Sequence, residues 1–441
     1  MRKNATEQTF MTTGKMWLAA GLASVLAACA SMGGAPSAEQ AAWPTKANVV
    51  ATQSAFTPAG LASLDARMKE AVDKGEVAGL EYALIKDGKV VALNVFGNQA
   101  YGGPAMQEET IFRIRSMTKP VTGVAMMQLW EQGKWKPEDP VTKFLPELGN
   151  LKVATSTADL NTLVPASRTP SMNEIMTHTA GFGYGLSANN AVDRAFLEKH
   201  PMYEKDLAAL VTRTSQIPLL DQPGNRWSYS IVVDLQGAII EKITGKKFGD
   251  YLEQNIFAPL AMKDTGFWLT EQDRPRVATV YARNAKTNTF DVLEDKNSFT
   301  HDFYTANSQA ESGGGGLVST LHDYVRFTQM LLNKGELDGK RILKPETVNY
   351  MMQNHIGDLK GVIGGGAFGY GGMVVVNDPT EKAPQPKGTF SWFGIDGTWF
   401  WVDPSNNLAF VGMIQRRGPA GAGGIDVRGE SAQLVYKALA K

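Results

Sequence analysis

The stretch FRIRSMTKPVTGVAMMQLWEQGKW (residues 112–135) sets a serine three residues ahead of a lysine where an apolar-periodic helix begins. Pro120 suits a first helical turn, because its missing N–H costs nothing there. Lys119 follows Ser116 by about one turn, so the two side chains share a face. Ser116 then sits at a helix N-terminus, where unpaired N–H groups and the helix dipole favour developing negative charge. A serine hydroxyl is a weak nucleophile until a neighbour accepts its proton. A lysine can do so only as a neutral amine, which needs burial or nearby positive charge. The spacing alone is weak, since roughly one Ser-x-x-Lys arises by chance in a chain of this size. The stripe Val124, Met127 and Trp130 reads as core packing.

Outward from this helix the chain changes character. Upstream, Leu61, Leu64, Met68 and Val72 recur at helical spacing and predict a helix over 60–73. In EYALIKDGKVVALNVFG, β-rich runs flank Asp87-Gly88, a strong hairpin signal. From about 105 to 335 the pattern is mainly helical with long polar loops, as in VVDLQGAIIEKITG and TLHDYVRFTQMLLNKG. Strands return in GYGGMVVVND and GTWFWVDPSNNLAFVGMIQ, with a turn at residues 404–407. GESAQLVYKALAK predicts a closing helix. The expected fold is therefore α/β: an antiparallel sheet built from N- and C-terminal strands, flanked by helices, with a mainly helical inserted region. The glycine run 313–316 reads as a local feature. Residues 364–369 match G-x-G-x-x-G, but a strand follows and no helix is there to receive a pyrophosphate, so a dinucleotide site is rejected.

Composition narrows the function classes. The chain has 441 residues, with 44 basic and 44 acidic, and no Lys/Arg-dense run. That gives no footprint for nucleic acid. The histidines at 178, 200, 301, 322 and 355 show no zinc-like spacing, and neither a metal nor another cofactor is expected. The single cysteine, Cys29, ends an apolar run over 17–28 that is too short to span a bilayer comfortably. Leu26-Ala27-Ala28-Cys29 resembles a bacterial lipobox. The expected division is a lipoprotein signal peptide at 1–29 with lipidation at Cys29, a flexible Ala/Ser/Gly/Pro-rich tether at 30–58, and a catalytic body at 59–441. The expected location is the bacterial cell envelope, lipid-anchored, with the outer membrane facing the periplasm favoured because Ala30 follows the cysteine. An ordinary secretory signal is the alternative.

FRIRSMTKPVTGVAMMQL, NEIMTHTAGFGYG, WSYSIVVDLQGAIIEKITG and the closing strands occur in an order that resembles the serine β-lactamase and penicillin-binding protein superfamily. The class C β-lactamase and family VIII carboxylesterase branch is the most similar. The similarity runs from about residue 60 to 436. It implies Ser116 as acylated nucleophile, Lys119 as its proton partner and Tyr229 as the acylation base. It also implies an oxyanion hole from the backbone N–H groups of Ser116 and Ile395. The third motif, Lys-Thr-Gly or Trp-Gly-Gly in relatives, reads Trp392-Phe393-Gly394 here. Trp392, Phe393, Gly394 and Ile231 are the implied substrate-binding residues.

Two departures bear on the substrate. Ile231 stands where many relatives carry an amide-binding Asn, and Trp392 replaces a carboxylate-binding Lys. Both changes favour a short-chain ester with an uncharged acyl group, hence a carboxylesterase acting on a small-molecule ester. A D-amino-acid peptidase, amidase or β-lactamase using the same nucleophile is one alternative. A non-catalytic envelope binding protein on the same fold is another. His178 reads as structural, and no Gly-x-Ser-x-Gly elbow supports a Ser-His-Asp route.

Overall fold

The hairpin expected at Asp87-Gly88 is present and lies at one edge of the sheet. In the computed structural model, which describes residues 55–440 apart from 285, 288, 294–309 and 419–425, helix α1 (Pro58–Asp73) leads into β1 (Gly79–Lys86) and β2 (Lys89–Gly97). The middle of the chain supplies α2 (Thr118–Glu131), α3 (Val232–Thr244) and α4 (Leu321–Leu332). Then come β3 (Ala367–Phe368), β4 (Met373–Val374), β5 (Phe390–Phe393), β6 (Trp399–Asp403) and β7 (Leu408–Met413), and α5 (Val427–Ala438) closes the body. The seven strands form one sheet in the order β3-β4-β5-β6-β7-β1-β2, with every neighbouring pair antiparallel. Because β7 lies beside β1, strands from both ends of the body share one sheet, as the sequence pattern predicts.

Side-chain alternation decides what covers each face. Leu80, Tyr82, Leu84, Trp399, Trp401, Leu408 and Phe410 point to one side, where they pack with Leu61, Leu64, Met68 and Val435 of α1 and α5. Ala83, Ile85, Phe400, Val402, Ala409 and Val411 point to the other side and join the core of the helical region. All six β7 positions are buried, as expected of a central strand covered on both faces. Trp399 pairs with Gly412. A Cβ at Gly412 would meet the Trp399 ring at 2.2 Å, so only glycine fits opposite that indole. Asp403 accepts from the Ser405 and Asn406 N–H groups and forms the β6–β7 turn.

Several expectations need adjusting. Residues 55–58 belong to the body and not to the tether: Phe56 is buried and bridges Leu439, while Thr57 caps α1. The signal peptide, Cys29 and the rest of the tether lie outside the described residues. The strand expected in GYGGMVVVND shrinks to Met373–Val374, bracketed by Gly371 at φ +103 and by Pro379, which cannot donate to a ladder. Gly364 and Gly365 adopt positive φ and feed the β3–β4 hairpin, so the glycine-rich motif is a turn. The helical middle also contains short pairings. Tyr281–Arg283 lies between Phe290–Val292 and Arg416–Arg417, and runs this short carry no readable period.

Candidate active site

The nucleophile turn is pinned from several directions. Ile114 N–H donates to Leu317 O at 3.2 Å, Leu317 N–H to Thr118 Oγ1 at 3.1 Å, and the Tyr324 hydroxyl to Met117 O at 2.9 Å. Residues Arg115–Met117 form a single 3₁₀ turn ahead of α2. Arg115 is buried and held at φ +48, in the left-handed region, where a side chain other than glycine is uncommon and costs energy. Strain of this kind persists only where the surroundings overdetermine the backbone.

Three sequence-predicted residues converge there. The Tyr229 hydroxyl lies 2.6 Å from Ser116 Oγ, and Lys119 Nζ lies 3.3 Å from the same oxygen. Lys119 is wholly buried. It donates to Gly314 O at 2.6 Å, approaches the Tyr184 hydroxyl at 3.5 Å and lies 4.5 Å from the centroid of the Tyr229 ring. Ser116 Oγ therefore has a phenol and an amine within hydrogen-bond reach, the arrangement of a nucleophile beside a base candidate.

Supporting residues invisible to motif reasoning complete the site. Asp234, in the first turn of α3, accepts from Ser312 Oγ at 2.6 Å and from Gly314 N–H at 3.0 Å. Burial raises its carboxyl above the usual aspartate range, with Lys119 pulling the other way. The Tyr184 phenol is pushed well up by burial and then by Asp234 and Tyr229, so it stays protonated. The glycine run proves essential to this layout. A Cβ at Gly314 would meet the Tyr184 hydroxyl at 2.5 Å and Asp234 Oδ2 at 2.6 Å, and one at Gly313 would meet Val233 O at 2.5 Å.

His178 holds Tyr229 in place. Its Nδ1 accepts from Ser230 N–H at 3.1 Å, its carbonyl accepts from Ser228 N–H at 2.9 Å, and its ring sits 4.9 Å from the Tyr229 ring. Burial, and then Lys119, hold the imidazole well below its usual range, so it is neutral at pH 7. Among the described residues no group of three or more His, Cys, Asp and Glu side chains could hold a metal ion.

The third motif forms the opposite wall of a cleft of about 650 Å³ that includes Ser116, Tyr229, Trp392, Phe393, Gly394 and Ile395. A Cβ at Gly394 would meet Ile114 O at 2.6 Å, so glycine there lets the end of β5 touch the nucleophile turn. The Ile395 N–H has no backbone carbonyl partner among the described residues. Next to it, the wholly buried Asp396 accepts from Arg115 Nε and, at 2.8 Å, from Arg417 Nε. Trp392 packs against Tyr229 and Phe368, with centroids 5.7 and 5.3 Å away. Ile231 is different. It is fully buried in the core with its N–H on Gly183 O, and it is absent from the cleft wall. The expected substrate contact at that position is therefore a packing residue, because the turn into α3 directs it inward.

The chain is similar to known proteins over most of its length. The family model described as Beta-lactamase matches residues 64–433. A Mycobacterium tuberculosis protein, Rv1367c, is 34% identical over 371 residues, covering 79% of this chain and 88% of that one. Esterase EstB of Burkholderia gladioli is 26% identical, with 83% and 93% covered. Among solved structures, EstCE1, titled a hydrolase with promiscuous acyltransferase activity, superposes with a TM-score of 0.69 at 24% identity, covering 86% of this chain and 98% of its own.

Proposed function

Because this chain belongs to the beta-lactamase family, we propose that it is a serine hydrolase that cleaves short-chain carboxylic esters through an acyl-enzyme on Ser116. The observation that carries the reading is the convergence of Tyr229 and Lys119 on Ser116 Oγ, at 2.6 and 3.3 Å. In this reading Ser116 Oγ bonds to the ester carbonyl carbon while its proton passes to the Tyr229–Lys119 pair. The tetrahedral oxyanion lies against the N–H groups of Ser116 and Ile395. The carbon–oxygen bond to the alcohol then breaks, and the alcohol leaves with that proton. Water adds to the acyl carbon, gives a proton to the same pair, and Ser116 recovers it as the acid departs.

Two features favour esters over lactams and peptides. Trp392 occupies the position of the carboxylate-binding lysine, and one relative is itself named an esterase. Initial rates on p-nitrophenyl butyrate, nitrocefin and a D-Ala-D-Ala peptide test the order. The expected result is a kcat/KM for the ester at least roughly a hundredfold above the other two. The reverse ranking moves the assignment to a β-lactamase or D-peptidase. A chain that no fluorophosphonate labels is a binding protein.

The same proposal includes an N-terminal lipid anchor, supported by Leu26-Ala27-Ala28-Cys29 after the apolar run. Radiolabelled palmitate should enter the protein in a bacterial host and be lost in Cys29→Ser. Undiminished labelling of the variant would remove the anchor from the reading.

A further inference from the structure

The cleft that holds Ser116 is rich in arginine. Arg115, Arg416, Arg417 and Arg428 all line it. Among the described residues three carboxylates stand near these four guanidiniums: Asp396, Asp426 and, acting on Arg416 from farther away, Glu76. Asp396 is engaged by Arg115 and Arg417. Asp426 spends one oxygen on the Gly429 N–H at 2.9 Å, capping α5. A guanidinium without a close carboxylate inside a partly enclosed cleft favours an anionic ligand.

Arg428 is the group with the least local compensation. Its guanidinium carbon sits 3.8 Å above the centroid of the Phe393 ring. Among the described residues no carboxylate lies within ion-pair distance of it, although Asp426 acts on it from farther away. The ring orients the cation but cannot neutralise it. Burial pushes Arg428 down from the usual arginine range, the sign of a charge that has lost water without gaining a close counter-ion. Arg416 shares the condition more mildly. It lies 4.6 Å over the Phe290 ring, donates to Glu76 O at 3.3 Å and is likewise lowered by burial.

Building on the ester-hydrolase reading, we infer that the ester taken by this cleft carries a free carboxylate, which Arg428, propped on Phe393, holds while Ser116 meets the ester carbonyl. The inference gives the unusual third motif a purpose. Trp392 removes a cation from β5, and Phe393 supports another one delivered by α5. The uncharged ester expected from the loss of the lysine then gives way to a charged one bound from a different element. A guanidinium meets a carboxylate through paired, charge-assisted hydrogen bonds, which also fix the orientation of the ligand.

The test compares matched esters on the full chain. Mono-p-nitrophenyl adipate and p-nitrophenyl hexanoate share an acyl length and differ in a terminal carboxylate. p-Acetoxybenzoate and its methyl ester place the charge on the alcohol side instead. The expected result is a kcat/KM preference of roughly ten- to hundredfold for the charged member of one pair. That preference collapses in Arg428→Leu, returns in part in Arg428→Lys and inverts in Arg428→Glu. No preference in either pair, or a preference that survives Arg428→Leu, overturns the inference and leaves the esterase reading intact. If no ester is turned over, the esterase reading is what fails. Calorimetric titration of adipate into Ser116→Ala, with and without Arg428→Leu, then decides the carboxylate site. Binding that depends on Arg428 keeps it, and binding that is absent or independent of Arg428 removes it.

Discussion

Replacing Ser116 with alanine lowers kcat for p-nitrophenyl butyrate by at least about 10⁴-fold and abolishes covalent labelling by a fluorophosphonate. The size follows from the chemistry. Without Oγ no acyl-enzyme forms, and what remains is the contribution of the oxyanion donors and of substrate binding. The fold should survive, because Ser116 is partly exposed on the cleft and the hydrogen bonds that anchor its turn are made by Ile114, Met117 and Thr118. Lys119→Met and Tyr229→Phe should each approach the same floor, and combining either with Ser116→Ala should add almost nothing, because groups that act as a unit are not additive. Intact-mass spectrometry of each variant after labelling, beside initial rates, measures both quantities. Equal turnover by wild type and Ser116→Ala would mean that another residue does the chemistry, whatever the geometry around Ser116.

The parts of this site that were legible in the sequence are those carried by spacing together with resemblance to a known family. Ser116 and Lys119 lie one helical turn apart, and Tyr229 sits in a segment whose resemblance to relatives extends through α3. The apolar run GTWFWVDPSNNLAFVGMIQ, broken by its turn at residues 404–407, made the C-terminal strands readable, and Asp87-Gly88 fixed the N-terminal hairpin. Residues whose roles depend on contacts between distant segments were not readable. Asp234 lies in a helix that looks ordinary, and it matters because Ser312 and Gly314 reach it from about eighty positions away. The glycine run did offer a signal: four successive residues without side chains mark a place where other groups crowd the backbone. What crowds them could be learned only from the fold. Ile231 failed in the opposite direction, since a place two positions after Tyr229 says nothing about which way its side chain turns.

Asp396→Asn is expected to destabilise the body by about 3–5 kcal/mol and to reduce kcat roughly a hundredfold. The carboxylate has no exposed surface. Burial alone would raise Asp396, but Arg115 and Arg417 outweigh it and hold the carboxyl below the usual aspartate value. An amide of the same shape carries no charge to set against the two guanidiniums, so the buried Arg115 loses its Asp396 counter-charge. The loss reaches catalysis through position. Arg115 precedes the nucleophile, Asp396 follows Ile395, and their ion pair ties together the two N–H groups proposed to face the oxyanion. It also holds Arg115 in its left-handed conformation, so releasing it lets the turn relax away from the reactive geometry. The pH dependence has a definite sign. A carboxyl lowered in the folded state contributes stability that is present above its unfolded value of 3.8 and is lost as pH falls through the lower folded value. The stability gap between wild type and Asp396→Asn should therefore be widest near neutrality and close only in strong acid, where the wild-type carboxyl is itself protonated. Urea melts across that range, together with kcat on the same ester, measure both effects. A variant as stable as wild type at pH 7 would show that the ion pair is not what holds the nucleophile turn against the end of β5. A stable fold with a depressed kcat would keep the positioning role and remove the energetic one.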